Sequence, residues 1–505
     1  MTQLINIAHS IPASDWIATL VALLAIFSLL FISELAHKKF GLSKYTARKA
    51  VHIIVGLFIC LFSYFLISKI PILLLAATFL IFDSWALRTS HFTSIHPMAY
   101  SLGTVYYPIS VFILAFFLWD NYKSIFIIAT LIMVLPDALA ALAGERYSTT
   151  FFIPLKEKKS VIGSWVMFLS TFILVLAVLL GFLNQKVFEA FVISLMIALL
   201  ATASELISVR GSDNLSVPLL SALFLHAYLA SGVQNSSLQL TLGILLSAIV
   251  GLLSYRYGFL KLNGAITTFL LGSIIFGFGG ISFAIPILSF FLVSSLLSRI
   301  GKGRKKSLES LFAKTGQRDI YQVLANGGVA GFLVLLMYLM QIQYVYFLYL
   351  VTIAAATADT WATELGVFSR RQPRMITTFR TVEAGTSGAV SLLGSAAALF
   401  GSLFIAVIGY LVRPETTIYP VSWSTLLVLI TIFGGISSFI DSYLGALVQA
   451  QYRCSLCKKL TEKTMHCQEK AQLVHGYQWL NNDLVNIFSI AITTIMAYIL
   501  LNTIY

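Results

Sequence analysis

Apolar residues in this chain come in unbroken runs of about twenty, parted by short polar stretches, without the period of two of a half-buried strand. A run of that length matches the ~30 Å hydrocarbon core of a bilayer at ~1.5 Å per helical residue, so each predicts a membrane-spanning helix. The runs fall at 16–35, 50–67, 71–87, 104–119, 124–143, 161–183, 188–208, 216–231 and 238–254. A second series follows at 263–279, 281–298, 321–340, 344–362, 386–410, 423–450 and 481–504. The pattern predicts an all-α, polytopic integral membrane protein with about sixteen transmembrane helices in two related halves. Porin-like barrels are excluded because the runs are continuous rather than alternating. Residues 1–15 carry no Lys or Arg, so the basic n-region of a signal peptide is missing and the first span is expected to stay.

Composition sharpens the picture. Of 505 residues 58% are hydrophobic and 10% charged, where a soluble domain carries about 25% charged. Lys and Arg number 33 against 20 Asp and Glu, a net charge of +13. In a membrane protein that excess points to loops on the cytoplasmic side and to anionic ligands or lipids, not to nucleic acid. With the N-terminus placed outside, only Lys69, Lys123, Lys186 and Arg413 fall in outer loops. This obeys the positive-inside rule and predicts both termini outside, with the basic loops facing the cytoplasm, as in a bacterial inner (plasma) membrane. Three of the four Cys crowd between 454 and 467, so no disulfide scaffold is expected. A seam near 232–262 divides the chain into domains 1–235 and 236–505.

Charges inside spans are costly and usually functional. Asp137 closes the fifth span and Asp359 the thirteenth. Gly144 and Gly366 follow seven positions later, and Gly163 and Gly385 stand 26 positions after the aspartates, each before a hydroxyl residue, Ser164 or Thr386. Lys159-Ser160 and Arg380-Thr381 precede those glycines. The repeated D-x6-G-x18-G-[ST] pattern suits phosphate handling. A carboxylate at an inner helix end holds Mg²⁺. Glycines admit backbone N–H groups to phosphate oxygens, and a helix N-terminus just after Gly163 or Gly385 favours anions. A helix cap followed by an ordinary basic loop would use the same residues. No Walker-type G-x-x-x-x-G-K-[ST] occurs.

Around the first repeat lie Glu34, Arg48, Lys49, His52, Glu205, Asp213 and Asn214; Arg48 and His52, four apart, share a helix face. Around the second lie Arg318, Gln322, Asn326, Glu364, Ser387, Asp441, Asn482, Asp483 and Asn486. Carboxylates with amides suit a hydrated Mg²⁺–nucleotide, and polar contacts between helices draw on the same residues. The segment 451–478 reads Cys454-x2-Cys457, then His466-Cys467, then His475. Three Cys with one of the two His would make a structural Zn²⁺ site; the alternative is a reduced thiol cluster.

Residues 30–230 resemble the phytol kinase and dolichol kinase group of CTP-dependent membrane lipid kinases. The resemblance rests on Glu34, Arg48-Lys49-x-x-His52-x-x-x-Gly56, Gly103-Thr104 to Tyr107-Pro108, Asp137 to Gly144, Lys159-Ser160-x-x-Gly163-Ser164, Glu205 and Asp213-Asn214-x-x-x-Pro218. Residues 255–505 resemble the family that includes plant phytyl-phosphate kinase, through Gln322 to Gly327, Ala358 to Gly366, Gly385-Thr386-Ser387-Gly388, Asp441-Ser442-x-x-Gly445-Ala446 and Trp479-x-x-Asn482-Asp483-x-x-Asn486.

These resemblances imply a fusion of two consecutive enzymes for prenyl-lipid salvage, as in tocopherol biosynthesis: isoprenoid alcohol (phytol or geranylgeraniol) to monophosphate, then monophosphate to diphosphate, with CTP as donor and Mg²⁺ as cofactor. Asp137 then binds Mg²⁺–CTP or acts as base, Glu205 and Asp213 complete the set, and Arg48, Lys49, His52 and Lys159 clamp phosphates. Asp359, Glu364 and Asp441 serve as metal ligands in the second half, because a phosphate monoester is already an anion. Two other expectations stay open: a dolichol- or polyprenol-type kinase with a differently acting second half, and a lipid-phosphate transporter or flippase, which would favour midplane sites.

Overall fold

The computed structural model describes residues 12–40, 44–89, 102–230, 237–300, 316–340, 344–415 and 421–504. Fourteen helices are described, thirteen of them long and apolar enough to cross a membrane. Each apolar run overlaps one of them. Those at 104–119 and 124–143 are two helical segments meeting at a kink within Gly103–Tyr147, and those at 263–279 and 281–298 two segments meeting at a kink within Leu262–Leu297. Each joint is a single non-helical residue, Tyr122 (φ −135°, ψ 39°) and Gly280 (φ 67°, ψ −161°). The sequence places breaks between runs at these points, and there the backbone leaves helical geometry between two helical segments. Most of the basic loop 299–318 (residues 301–315), and 231–236 at the seam, lie outside the described residues.

The contacts divide the chain into two units, Met1–Ser237 and Leu238–Tyr505. The first contains α1 (Ala13–Phe40), α2 (Lys44–Phe65), α3 (Ile70–Thr89), α4 (Gly103–Tyr147), α5 (Val161–Gly181), α6 (Val187–Leu206) and α7 (Asp213–Leu229). An antiparallel hairpin, β1 (Phe151–Phe152) with β2 (Lys159–Ser160), joins α4 to α5. Helix α4 packs against α2, α3, α5 and α7. Its residues Phe126, Ile128, Ala129, Ile132 and Met133 are buried, as expected of a helix apolar on all sides. Buried Asp137 lies one turn beyond them.

The second unit contains α8 (Ser237–Arg256), α9 (Leu262–Leu297), α10 (Ile320–Met340), α11 (Val345–Gly366), α12 (Leu392–Leu411), α13 (Trp423–Leu447) and α14 (Asn482–Ile504). Helix α11 is the core: every residue from Val345 to Ala358 is buried, and α9, α10, α12, α13 and α14 pack around it. Small residues allow that closeness; a Cβ on Gly434 would stand 2.3 Å from Ser402 Oγ. Leu238, Leu242, Leu245, Ile249 and Leu252 form one exposed apolar face of α8, as a lipid-facing helix requires.

A hairpin, β3 (Arg374–Met375) with β4 (Ala389–Val390), joins α11 to α12. Between α13 and α14 come β5 (Gln451–Arg453), β6 (Leu460–Thr461), β7 (Met465–His466), β8 (Glu469–Lys470) and β9 (Gln472–His475). Strand β5 pairs with β6 and β9, and β7 with β8.

Here the sequence expectation needs correcting. No helix begins just after Gly385. Gly385 (φ 89°) and Gly388 (φ 82°) are left-handed turn residues, and α12 begins only at Leu392, capped by Ser391. Nor does a helix begin just after Gly163, which is already the third residue of α5.

Candidate functional sites

In each unit a central helix delivers an aspartate towards a short hairpin and the start of the following helix. In the first unit Ser160 caps α5, its Oγ accepting from Gly163 N at 3.0 Å. Gly144 and Gly163 lie face to face; a Cβ on Gly163 would stand 2.6 Å from Ser160 Oγ and 3.0 Å from Ala140 O. In the second unit Ser391 caps α12 through Gly394 N at 3.1 Å. A Cβ on Gly394 would stand 3.1 Å from Ala362 O and 3.7 Å from Gly366 Cα. Ala140 and Ala362 both lie three positions after the aspartate. The geometric counterpart of Gly163 is therefore Gly394, not Gly385. The second hairpin is nine residues longer, so the equal spacing to Gly385 is a coincidence of Gly-rich sequence.

A cavity of about 1210 Å³ occupies the first unit. Arg48, Lys49 and His52 reach it from α2, Asp137 and Gly144 from α4, and Lys159 and Ser160 from β2. Gly163 and Ser164 reach it from α5, Glu205 from α6, and Asp213 and Asn214 from α7. Lys49 Nζ pairs with Asp137 Oδ2 at 3.0 Å, and Lys159 Nζ with Glu205 Oε1 at 2.6 Å and Ser208 Oγ at 3.0 Å. Burial by itself would lower the Lys159 pKa, but the Glu205 and Asp213 carboxylates outweigh it and hold the ammonium above its ordinary value. Asn214 Nδ2 donates to Gly103 O at 2.9 Å, tying the start of α7 to the start of α4. His52 Nε2 lies 3.2 Å from Met133 O, and its ring meets Tyr107 edge-on at 5.0 Å. Glu34 is not among the lining residues; it pairs with Lys38 at 2.9 Å along α1.

Beyond this charged end the cavity continues between α1, α2, α3 and α4, against Ile26, Leu30, Val55, Ile59, Leu75 and Phe79. Asp83 of α3 and Tyr107 of α4 also line it. The Tyr107 hydroxyl is buried without a hydrogen-bond partner among the described residues. Asp83 belongs to none of the sequence motifs, and its one signal in the sequence is an acid within the apolar run 71–87.

A cavity of about 990 Å³ occupies the second unit. Gln322, Asn326, Asp359, Glu364, Gly385, Thr386, Ser387, Asp441, Asn482, Asp483 and Asn486 all line it. Arg380 does not: it is exposed in the β3–β4 hairpin, and the longer loop carries it away. Asp359 of α11 and Asp441 of α13 flank the Asn486 amide of α14. Its nitrogen reaches Asp359 Oδ2 at 3.5 Å in one orientation and Asp441 Oδ2 at 2.9 Å in the other. Ser489 Oγ also donates to Asp441 Oδ2 at 3.3 Å. Neither aspartate makes an ion pair among the described residues, in contrast to Asp137. A pair of carboxylates without a cation, beside amide oxygens, is a donor set that fits a hard divalent ion. The loop residues Gln449 and Glu462, which the sequence did not single out, line this cavity too. Cys454, Cys457, His466 and Cys467 converge elsewhere in the same loop, whereas His475 Nε2 lies 3.0 Å from Ala446 O.

The chain resembles several known membrane and lipid-kinase proteins in sequence. The chain is 32% identical over 279 residues to Protein PGR of Arabidopsis thaliana, covering 52% of this chain and 96% of that protein. It is 22% identical over 251 residues to Protein VTE6, chloroplastic, of the same plant, covering 48% of this chain and 65% of that one. It is 34% identical over 137 residues to a probable phytol kinase, chloroplastic, of Triticum aestivum, covering 26% and 44% respectively. No solved structure matches. The family described as integral membrane protein DUF92 matches residues 245–494, within the second unit. The chain belongs to this family of integral membrane proteins, with similarity also to a probable phytol kinase.

Proposed function

We propose that this chain is a bifunctional isoprenoid-lipid phosphotransferase. The first unit phosphorylates an isoprenoid alcohol, and the second phosphorylates the resulting monophosphate to the diphosphate. The observation that carries the reading is the first cavity, which joins a cluster of Lys–carboxylate pairs to an apolar slot between spanning helices. Its volume of about 1210 Å³ exceeds the ~300–1,000 Å³ usual for a small-ligand pocket, leaving room for a nucleotide beside a lipid tail. The similarity to a probable phytol kinase points to the same substrate class. The donor, CTP, follows from the resemblance to CTP-dependent lipid kinases.

In the first unit the prenyl tail lies against Ile26, Leu30 and Phe79, and the hydroxyl meets Tyr107 and Asp137. Asp137, held by Lys49 through Oδ2, takes the hydroxyl proton as the alcohol oxygen bonds to the terminal phosphorus and the bond from that phosphorus to the departing nucleoside diphosphate breaks. Lys159 and Arg48 hold phosphate oxygens, and Glu205 and Asp213 are the carboxylates that would hold a magnesium ion. When bound, that ion neutralises charge on the transferring phosphoryl group, so catalysis is chiefly positioning and electrostatics.

In the second unit the nucleophile is a phosphate monoester, whose second pKa is ~6, and no base is needed. Asp359 and Asp441, free of lysine partners, are assigned as magnesium ligands, with Asn482 and Asn486 completing the polar wall. The phosphate-binding turn is Gly385-Thr386-Ser387.

The test uses purified full-length protein in detergent, γ-labelled CTP, Mg²⁺ and phytol or geranylgeraniol, with mono- and diphosphate resolved. Wild type is expected to form diphosphate, Asp137→Asn neither product, and Asp359→Asn monophosphate alone. A wild type that stops at monophosphate would remove the second assignment. Failure to phosphorylate any isoprenoid alcohol would remove both.

A further inference from the structure

The loop between α13 and α14 has too little apolar surface to fold on its own account. Its strands are two to four residues long, and its buried apolar cluster is Ala450, Tyr452 and Ala471. Small scaffolds of this kind need a staple. The β5–β6 hairpin turns through Lys458 (φ 61°), with Cys454 and Cys457 in the turn. The β7–β8 hairpin turns through Cys467 (φ 52°) and Gln468 (φ 64°) beside His466. Left-handed conformations at three non-glycine residues persist only where the surroundings enforce them.

These two turns bring one ligand atom from each of Cys454, Cys457, His466 and Cys467 within 4.8 Å of one another. His466 Nδ1 stands 3.5 Å from Cys457 Sγ and 3.2 Å from Cys467 Sγ. Ligands at Zn–S ≈ 2.3 Å and Zn–N ≈ 2.0–2.1 Å on a tetrahedron are about 3.5–3.8 Å apart, close to this arrangement. We propose that Cys454, Cys457, His466 and Cys467 bind one zinc ion as a closed, structural Cys₃His site. Three sulfurs disfavour magnesium or calcium, and four filled positions leave none for substrate. His475 is not among the residues whose ligand atoms converge here; its Nε2 meets Ala446 O instead. Three thiolates and Zn²⁺ carry a net charge of −1, set among Lys458, Lys459, Lys463 and Lys470.

The zinc has a consequence for the neighbouring cavity. Glu462 directly follows β6 and accepts from Gln449 Nε2 at 2.8 Å, while Gln449 Oε1 accepts from Ser387 Oγ at 2.9 Å. Gln449 is 2% exposed, and both Gln449 and Glu462 line the cavity of the second unit. By fixing the hairpins, the ion holds Glu462 against that wall; only this role rests on the proposed function, whereas metal binding does not.

The experiment is elemental analysis of untagged full-length protein purified in detergent, with absorption spectra after Co²⁺ replacement. One zinc per chain is expected, together with the strong thiolate-to-metal and ligand-field bands of tetrahedral Co²⁺. Cys457→Ser and His466→Gln are expected to lose the metal, and His475→Gln to keep it. Should the ligand variants fail to accumulate, mercurial titration of wild type is expected to release one zinc while the helical circular dichroism persists. Zinc far below one per chain in wild type, equal zinc in Cys457→Ser, or a disulfide among the three cysteines in non-reduced peptides would overturn the site.

Discussion

Lys49 and Asp137 illustrate what a charge costs at bilayer depth. Each side chain is only 12% and 11% exposed, so neither is well solvated without the other. Removing one partner of a buried pair costs roughly 3–5 kcal/mol, because the remaining charge is left uncompensated. Lys49→Met is therefore expected to lower thermal stability by about that much. Lys49→Met with Asp137→Leu should recover most of the stability and none of the first phosphorylation, a separation readable by combining thermal unfolding with product analysis. Lys159 behaves differently. Its folded-state pKa is raised, so its contribution is fully present below the unfolded value of ~10.4 and is lost only as pH rises through the folded one. The pH–rate profile of the first reaction is expected to show no Lys159 limb near neutrality, while Lys159→Ala should lower kcat by about 10²–10³, as for loss of a preorganised charge donor. A limb near neutrality that vanishes in Lys159→Ala would refute this.

At the scale of elements, the two glycine contacts make a sharper comparison than any single side chain. Gly163 and Gly394 each press against the preceding helix through Ala140 O or Ala362 O. A larger side chain there must push the helix pair apart, costing typically 1–3 kcal/mol. Gly163→Val is expected to impair alcohol phosphorylation alone, and Gly394→Val monophosphate phosphorylation alone, each measured with its own lipid substrate. Equal loss of both reactions in either variant would contradict the assignment of separate sites. The repeated aspartate and first glycine were legible in the sequence, because both sit at fixed offsets on one helix. The second glycine was not, because a hairpin of free length intervenes and only its closure selects Gly394. Arg380 does not line the cavity for the same reason: the longer turn carries it outward, although its place before Gly385 resembles that of Lys159 before Gly163.

For the whole molecule, the two units are expected to be separable. Protein PGR is covered over 96% of its length by 52% of this chain, so a relative of about half this length exists on its own. Residues 238–505 expressed alone are expected to convert isoprenyl monophosphate, and not the alcohol, to labelled product. A unit that requires residues 1–237 for that step would argue against two independent sites.

The sequence alone determined that the chain is a helical membrane protein, because a run of about twenty apolar residues has no other stable place to go. It also marked most of the chemistry, since a charged residue within such a run is conspicuous wherever the helix lies. Tertiary structure alone decided which of those charges meet. Lys49 stands 88 positions from Asp137, and Asp359 stands 127 positions from Asn486; only packing around α4 and α11 brings them within bonding distance. It also decided that two aspartates at matching positions differ, one paired with lysine and the other, among the described residues, set beside a second carboxylate and the Asn486 amide. That difference depends on which neighbouring helix faces the carboxylate, and no local spacing encodes it.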